Sequence, residues 1–137
     1  MFRTVAAVVA GIVVAFATVM LIDTLNHALF PPPEGLDFSD PDAIRPYLAT
    51  LPMGAFLLIL ASSVVAAFVG TLLACYIGRG NPLVYGGGVG GLVLAATIAN
   101  FIAIPHPLWL VIATLIGIVL STLLAMKLAP TSAAADE

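Results

Sequence analysis

The chain has 137 residues, of which 62% are hydrophobic and 8% are charged, and its mean hydropathy is +1.20. Soluble domains carry about 25% charged residues, so this composition excludes an ordinary soluble domain and indicates a protein that uses the lipid bilayer as its solvent. The formal net charge of −3 argues against a nucleic-acid partner, because phosphate binding depends on clustered Lys and Arg.

Four long apolar runs follow one another along the chain, at residues 4–30, 52–78, 82–104 and 107–128. A helix needs about 20 apolar residues to cross a bilayer, so each run is predicted to be a membrane span. The prediction is an all-α, polytopic membrane four-helix bundle that forms a single domain over residues 1–137, with an outer loop at 31–51 and a tail at 129–137. The first run continues beyond the length of a usual signal-peptide core, so it is expected to be an uncleaved span.

Three polar residues interrupt the end of the first span: Asp23, Asn26 and His27. Asp23 and His27 are four residues apart, which places them on one face of a helix. Ionisable groups are costly in hydrocarbon and often mark function there. The pair could form a proton relay, ligate a metal or haem together with His106, or recognise a polar headgroup or partner. Helix pairing near the headgroups is the structural alternative.

The outer loop is predicted to contain a short amphipathic helix. Ser39 or Asp40 can cap a helix that begins at Pro41, and Asp42 can pair with Arg45 one turn later. The apolar residues of this segment share one face: Ile44, Tyr47, Leu48 and Leu51. Such a helix would lie on the outer membrane surface, over the Asp23 and His27 end of the bundle.

Small residues recur at every fourth position of each span, which allows helix backbones to approach closely. The glycines predicted to mediate this packing are Gly11, Gly70, Gly87, Gly91 and Gly117. Four helices have more small-residue faces than the contacts inside one bundle need. The remaining faces are expected to form contacts in a homo-oligomer or a larger membrane complex. The glycine-rich start of span three, residues 86–91, indicates either close packing or a broken helix, and a broken helix would favour transport.

A second group of polar residues, Asn100 and His106 with Trp109 nearby, lies around the turn between spans three and four. The candidate polar cluster is therefore Asp23, Asn26, His27, Asn100 and His106. No cofactor is predicted, and a metal or haem held by His27 and His106 is a weak alternative because no recognised metal-ligand spacing accompanies them.

Basic residues predict the orientation, since Lys and Arg concentrate in cytoplasmic loops. Arg3, Arg79 and Lys127 all fall on one side of the four spans, whereas Arg45 lies in an otherwise acidic loop. Both termini are expected to be cytoplasmic in the cell (inner) membrane of a bacterium, with the long loop periplasmic or extracellular.

The two helical hairpins show a faint internal repeat. Residues 26–33 read NHALFPPP and residues 100–107 read NFIAIPHP, and the tetrapeptide TLLA occurs at 71–74 and again at 122–125. These matches fit two pseudo-repeated hairpins related by an axis along the membrane normal.

A family resemblance can be stated on these motifs. The Phe30-Pro31-Pro32-Pro33 exit from span one, the Ser39-Asp40-Pro41 loop and the segment Ile104-Pro105-His106-Pro107 before Trp109 resemble those of small bacterial four-span integral membrane proteins of uncharacterised function. That resemblance implies a fold and no activity.

No nucleophile with a positioned base can be identified, so no enzyme is predicted. The leading functional hypothesis is a structural or accessory membrane component that packs with itself or a partner. A small proton-coupled transporter or channel using Asp23 and His27 is the alternative, and metal or haem binding by His27 and His106 is the third.

Overall fold

Five helices make up the fold in the computed structural model, which describes residues 1–130. They are α1 (Phe2–Leu29), α2 (Pro41–Thr50), α3 (Met53–Gly78), α4 (Pro82–Ala103) and α5 (Leu108–Leu128). All but α2 are long and apolar enough to cross a membrane, so the predicted all-helical bundle with four membrane spans is confirmed. Most of the predicted tail, residues 131–137, lies outside the described residues.

The helix ends follow local chemistry. The Asn81 side chain accepts a hydrogen bond of 3.0 Å from the Leu83 amide, and Pro82 occupies the first helical position of α4. Arg79 ends α3 in the left-handed region, with φ of 51°. Each span lies within two residues of its predicted bounds at either end.

The central helix is α3, which packs against α1, α4 and α5. The α4 helix also packs against α1 and α5, whereas α1 and α5 make little or no contact with each other. The four spans therefore form a rhombus in cross-section, with α3 and α4 across its short diagonal.

The α1–α3 pair is packed through its backbones. A Cβ atom on Gly11 would lie 2.5 Å from the Gly70 carbonyl oxygen, and one on Gly70 would lie 2.6 Å from the Gly11 carbonyl oxygen. Ala7, Ala66 and Ala74 beside this crossing are fully buried. Small residues thus bring these two helices into direct main-chain contact, as membrane helices require where apolar side chains gain nothing by leaving lipid.

Gly87 and Gly91 of α4 make no close contact inside the bundle, so their predicted role in helix packing stays a prediction. A Cβ atom on either residue would meet nothing within 4 Å. Gly86 instead packs on Met126 and Gly90 on Thr122, both of α5, so the contact face is displaced by one residue. Gly117 lies against the Val64 side chain, 2.7 Å from a Cβ that would be added there, and α4 is one unbroken helix.

The bundle has two distinct ends. The cap end carries α2, the segment 30–40 and the turn 104–107; the base end carries the start of α1, the turn 79–81 and the end of α5. At the base end the Arg3 Nε donates a 2.9 Å hydrogen bond to the Ile77 carbonyl, which satisfies one of the last carbonyls of α3.

The α2 helix lies on the cap end as a short amphipathic segment. Asp40 is its N-cap, with a carboxylate oxygen 3.0 Å from the Asp42 amide nitrogen. Its apolar face points inward, because Ile44 is only 1% exposed. Pro46 lies inside the helix without ending it, and Pro52 precedes α3. Asp42 and Arg45 form the expected pair at 3.8 Å, fully on the surface, where such pairs contribute little.

The two predicted hairpins pack differently. The α1–α3 pair makes backbone contact at Gly11 and Gly70, whereas α4 contacts α5 through the side chains of Thr122 and Met126. The predicted repeat between the hairpins remains a prediction from sequence.

Candidate functional site

A cavity of about 420 Å³ lies at the cap end, between α1, α3 and α4 and beneath α2. Ligand-binding pockets commonly measure about 300–1,000 Å³. All five residues of the candidate polar cluster line this cavity: Asp23, Asn26, His27, Asn100 and His106. The structure therefore brings together residues that come from α1, α4 and the turn before α5.

Most of the wall is apolar, and one side of it is open. Phe16 of α1 and Leu92 and Ala96 of α4 line the cavity while remaining exposed at the bundle surface. The two helices touch nearer the base end, where Val8 lies against Gly88 and Val89 reaches Gly11. Because α1 and α4 meet at the base and separate toward the cap, the cavity is a lateral cleft between them. We call it the α1–α4 cleft.

Asp23 is the carboxyl group of the cleft. It lies beside the imidazole of His27 and the hydroxyl of Ser62, a buried residue of α3. The Ser62 hydroxyl donates a 2.8 Å hydrogen bond to the Ile59 carbonyl. The same hydroxyl lies within hydrogen-bonding reach of the Asp23 carboxylate, so Ile59 and Asp23 compete for its single hydrogen.

Both histidines use the same ring nitrogen to hold their position. His27 Nδ1 lies 2.7 Å from the Asp23 main-chain carbonyl oxygen, and His106 Nδ1 lies 2.8 Å from that of Ile104. A carbonyl can only accept, so Nδ1 must carry the hydrogen in each case. The remaining nitrogen, Nε2, is the one available to a ligand.

Aromatic contacts fix the two imidazole rings further. His27 lies edge to face with Phe38 of the loop, at a centroid distance of 6.3 Å, and His106 with Phe101 of α4, at 5.0 Å. Burial lowers the pKa of His106, an effect that its hydrogen bond to Ile104 partly opposes. His106 is thus held as a neutral imidazole in the turn.

Asn26 has one satisfied and one unsatisfied end. Its Nδ2 is 3.4 Å from the Ala55 carbonyl oxygen, a long hydrogen bond across the α1–α3 interface. Its Oδ1 is buried and has no partner among the described residues. An unpaired buried acceptor costs about 1–3 kcal/mol, and in this structure the protein closes the atom off from water-sized groups.

The loop covers the cleft through Tyr47 and Phe38. The Tyr47 hydroxyl lies 3.5 Å from the Phe30 carbonyl oxygen, and burial raises the pKa of Tyr47. The Asp37 carboxylate accepts hydrogen bonds from the amide and hydroxyl of Ser39, which lowers the pKa of Asp37 and fixes the turn that precedes α2.

Phe38, Ser62 and Thr97 are among the lining residues that the sequence did not indicate. Thr97 precedes Asn100 by three residues, so helical spacing could have placed the two on one face. Ser62 lies in α3, and nothing in the sequence pairs it with Asp23.

Within residues 1–130, no three His, Cys, Asp or Glu side chains come close enough together to hold a metal ion. Comparison with protein-family models, curated proteins and solved structures finds no match to this chain. The fold and the site still define a class of protein. It is a helical membrane-spanning protein with a cleft that is polar at one end and opens on the side of the helix bundle.

Proposed function

We propose that this protein is a membrane-embedded binding protein that holds an amphiphilic molecule of the bilayer in the α1–α4 cleft. The observation that carries the proposal is the cleft itself, with apolar walls along its length and a polar cluster at its cap end. An amphiphile that enters sideways from the bilayer would lay its chain along Phe16 and Leu92. Its head would then meet Asp23, Asn26 and His106.

The position of α2 supports the same function. Ile44, Tyr47, Leu48 and Leu51 contribute an apolar roof to the cleft. A roof of this kind covers the join between chain and headgroup, and it limits the access of water to the polar cluster. The amphiphile would thus be enclosed at its head and exposed along its chain.

Transport is favoured less than binding. The base half of the bundle is closed where Gly11 and Gly70 bring α1 and α3 into backbone contact and Val89 packs on both. The broken helix that would have favoured a transport path is absent from α4. Proton flux in proteoliposomes that is lost in Asp23→Asn would support a transporter in place of a binding protein.

The proposal is tested by filling the cleft. Ala96→Phe places a large side chain in the lining, at a position that is exposed and therefore leaves the helix contacts intact. Ala95→Phe is the matched control, since Ala95 is its exposed neighbour outside the lining. Native mass spectrometry of protein released from nanodiscs should show a retained amphiphile in wild type and Ala95→Phe and its loss in Ala96→Phe. Equal retention in both variants, or none in wild type, would contradict the proposal.

A structural or accessory role is the second candidate function. Gly87 and Gly91 form a ridge on α4 with open space above it, beside a shallow apolar groove between α4 and α5. A bare glycine ridge on a lipid-facing helix allows close approach of another helix. This supports self-association, or packing with a membrane partner, through the α4 face.

The charge distribution supports an orientation for either function. Arg3, Arg79 and Lys127 lie at the base end, and the loop at the cap end carries Glu34, Asp37, Asp40 and Asp42 with the single Arg45. Under the positive-inside rule the base end faces the cytoplasm and the cap end faces outward. The cleft would accordingly open in the outer leaflet of a bacterial inner membrane.

A further inference from the structure

The charges that line the α1–α4 cleft are one-sided. Asp23 is its one carboxyl group, and no Lys or Arg is among the lining residues that the structure describes. The nearest basic side chain along the loop, Arg45, is exposed and paired with Asp42. A phosphate or sulfate head would find no Lys or Arg in the described lining of this cleft, although such groups usually bind through Lys, Arg or several N–H donors.

The hydrogen-bond donors of the cleft are largely committed to main-chain carbonyls. Five of these donors already have a main-chain acceptor: His27 Nδ1 binds Asp23, His106 Nδ1 binds Ile104, Asn26 Nδ2 binds Ala55, Tyr47 binds Phe30 and Ser62 binds Ile59. Two acceptors of the cleft still have room for a donor. The Asp23 carboxylate can accept further hydrogen bonds beside the one from Ser62, and the Nε2 of a neutral His106 can accept one.

We propose that the amphiphile is a long-chain primary ammonium compound, whose N–H donors bind the Asp23 carboxylate and His106 Nε2, and that phosphate-headed lipids are excluded. This inference rests on the proposed binding function and specifies its ligand. An ammonium group supplies N–H donors together with a positive charge, and no Lys or Arg among the described lining residues places such a group beside Asp23. The surrounding acidic loop, with Glu34, Asp37 and Asp40, raises the local concentration of cations near the head site.

Chain-matched probes separate the headgroup from the chain. Protein purified in a steroid-based detergent is titrated by calorimetry with an alkylammonium, an alkanol and a monoalkyl phosphate of the same chain length. Each probe can fill the apolar part of the cleft equally, so differences in affinity report the head. The ammonium compound should bind about tenfold more tightly than the alcohol, as a charge-assisted hydrogen bond predicts, and the phosphate should bind least.

Two substitutions assign the preference to Asp23. Asp23→Asn keeps the shape of the side chain and removes its charge, so the preference for ammonium over alcohol should fall to about twofold or less. Unchanged binding of the alcohol shows that the variant is folded with its cleft intact. Asp42→Asn removes a carboxylate that is exposed on α2 and outside the lining, and it should keep the wild-type preference.

The outcomes distinguish the ligand from the function. If the phosphate binds as tightly as the ammonium compound, or if Asp23→Asn keeps the full preference, the ammonium proposal is overturned while the binding function stands. If none of the three probes binds wild-type protein, the binding function itself fails.

Discussion

His106 offers a direct test of the electrostatics at the cap end. Burial lowers its pKa, so the folded protein binds the imidazole proton less readily than the unfolded chain does. The stabilisation that the neutral imidazole provides is fully present at pH values above the ordinary histidine pKa. That contribution is lost as the pH falls from the ordinary value to the lowered one in the folded protein. We therefore expect acid to loosen the α4–α5 turn around residues 104–107.

The measurement is an NMR titration of the imidazole. The chain has two histidines, so in His27→Gln the remaining signal belongs to His106. It should titrate below the ordinary histidine range, and amide exchange in residues 104–107 should quicken over the same pH interval. Titration at or above the ordinary value would show that the ring is solvated.

Individual residues of the cleft differ in how well the sequence predicts them. Asp23, Asn26 and His27 stand out because polar residues are rare in an apolar span, and all three line the cleft. The sequence could not show that His27 binds the Asp23 main-chain carbonyl rather than its carboxylate. Nor could it show that Asn26 Oδ1 lacks a partner, since both facts depend on rotamers and on the neighbouring helix.

At the scale of helices, Gly11 and Gly87 predict opposite responses to the same substitution. In Gly11→Ala the new methyl would lie 2.5 Å from the Gly70 carbonyl oxygen, and overpacking of this kind costs about 1–3 kcal/mol. In Gly87→Ala the methyl meets nothing within 4 Å, and Ala is the better helix former by about 1 kcal/mol. Reversible unfolding in mixed micelles should show the first variant destabilised and the second unchanged or stabilised.

A loss of stability in Gly87→Ala would contradict the finding that Gly87 lies on a face of α4 without helix contacts.

The same face of α4 is the surface proposed for self-association. If α4 mediates self-association, Gly87→Leu should reduce the amount of cross-linked dimer in bicelles. Thr24→Leu, at an exposed position on α1, serves as the control for added apolar bulk.

In α4, the four-residue spacing of glycines does not determine which face of the helix packs against its neighbour. The sequence places glycine at 86, 87, 88, 90 and 91, so two ridges four residues apart fit equally well, one through Gly86 and Gly90 and one through Gly87 and Gly91. Only the partner helix selects between them, and it does so through Thr122 and Met126 of α5. In α1, a single glycine at position 11 left no such choice.

The whole bundle is what creates the cleft. Span lengths and the amphipathic α2 follow from local pattern, because hydrophobic length and helix capping are local properties. The cleft depends on the angle between α1 and α4, helices that are separated in sequence and touch at Val8 with Gly88 and at Gly11 with Val89. Such an angle results from the sum of side-chain volumes at the base end, which no single motif encodes.

Orientation in the membrane is the last property of the whole molecule that can be tested. The base end carries Arg3, Arg79 and Lys127, and moving such charges across a membrane is unfavourable. In a Cys75→Ala background, Ser39→Cys at the cap end should react with a membrane-impermeant maleimide applied to intact cells. Phe2→Cys at the base end should react only after lysis. Both positions are exposed and neither changes a charge, so labelling of Phe2→Cys in intact cells would place the cleft in the inner leaflet and reverse the side from which its ligand enters.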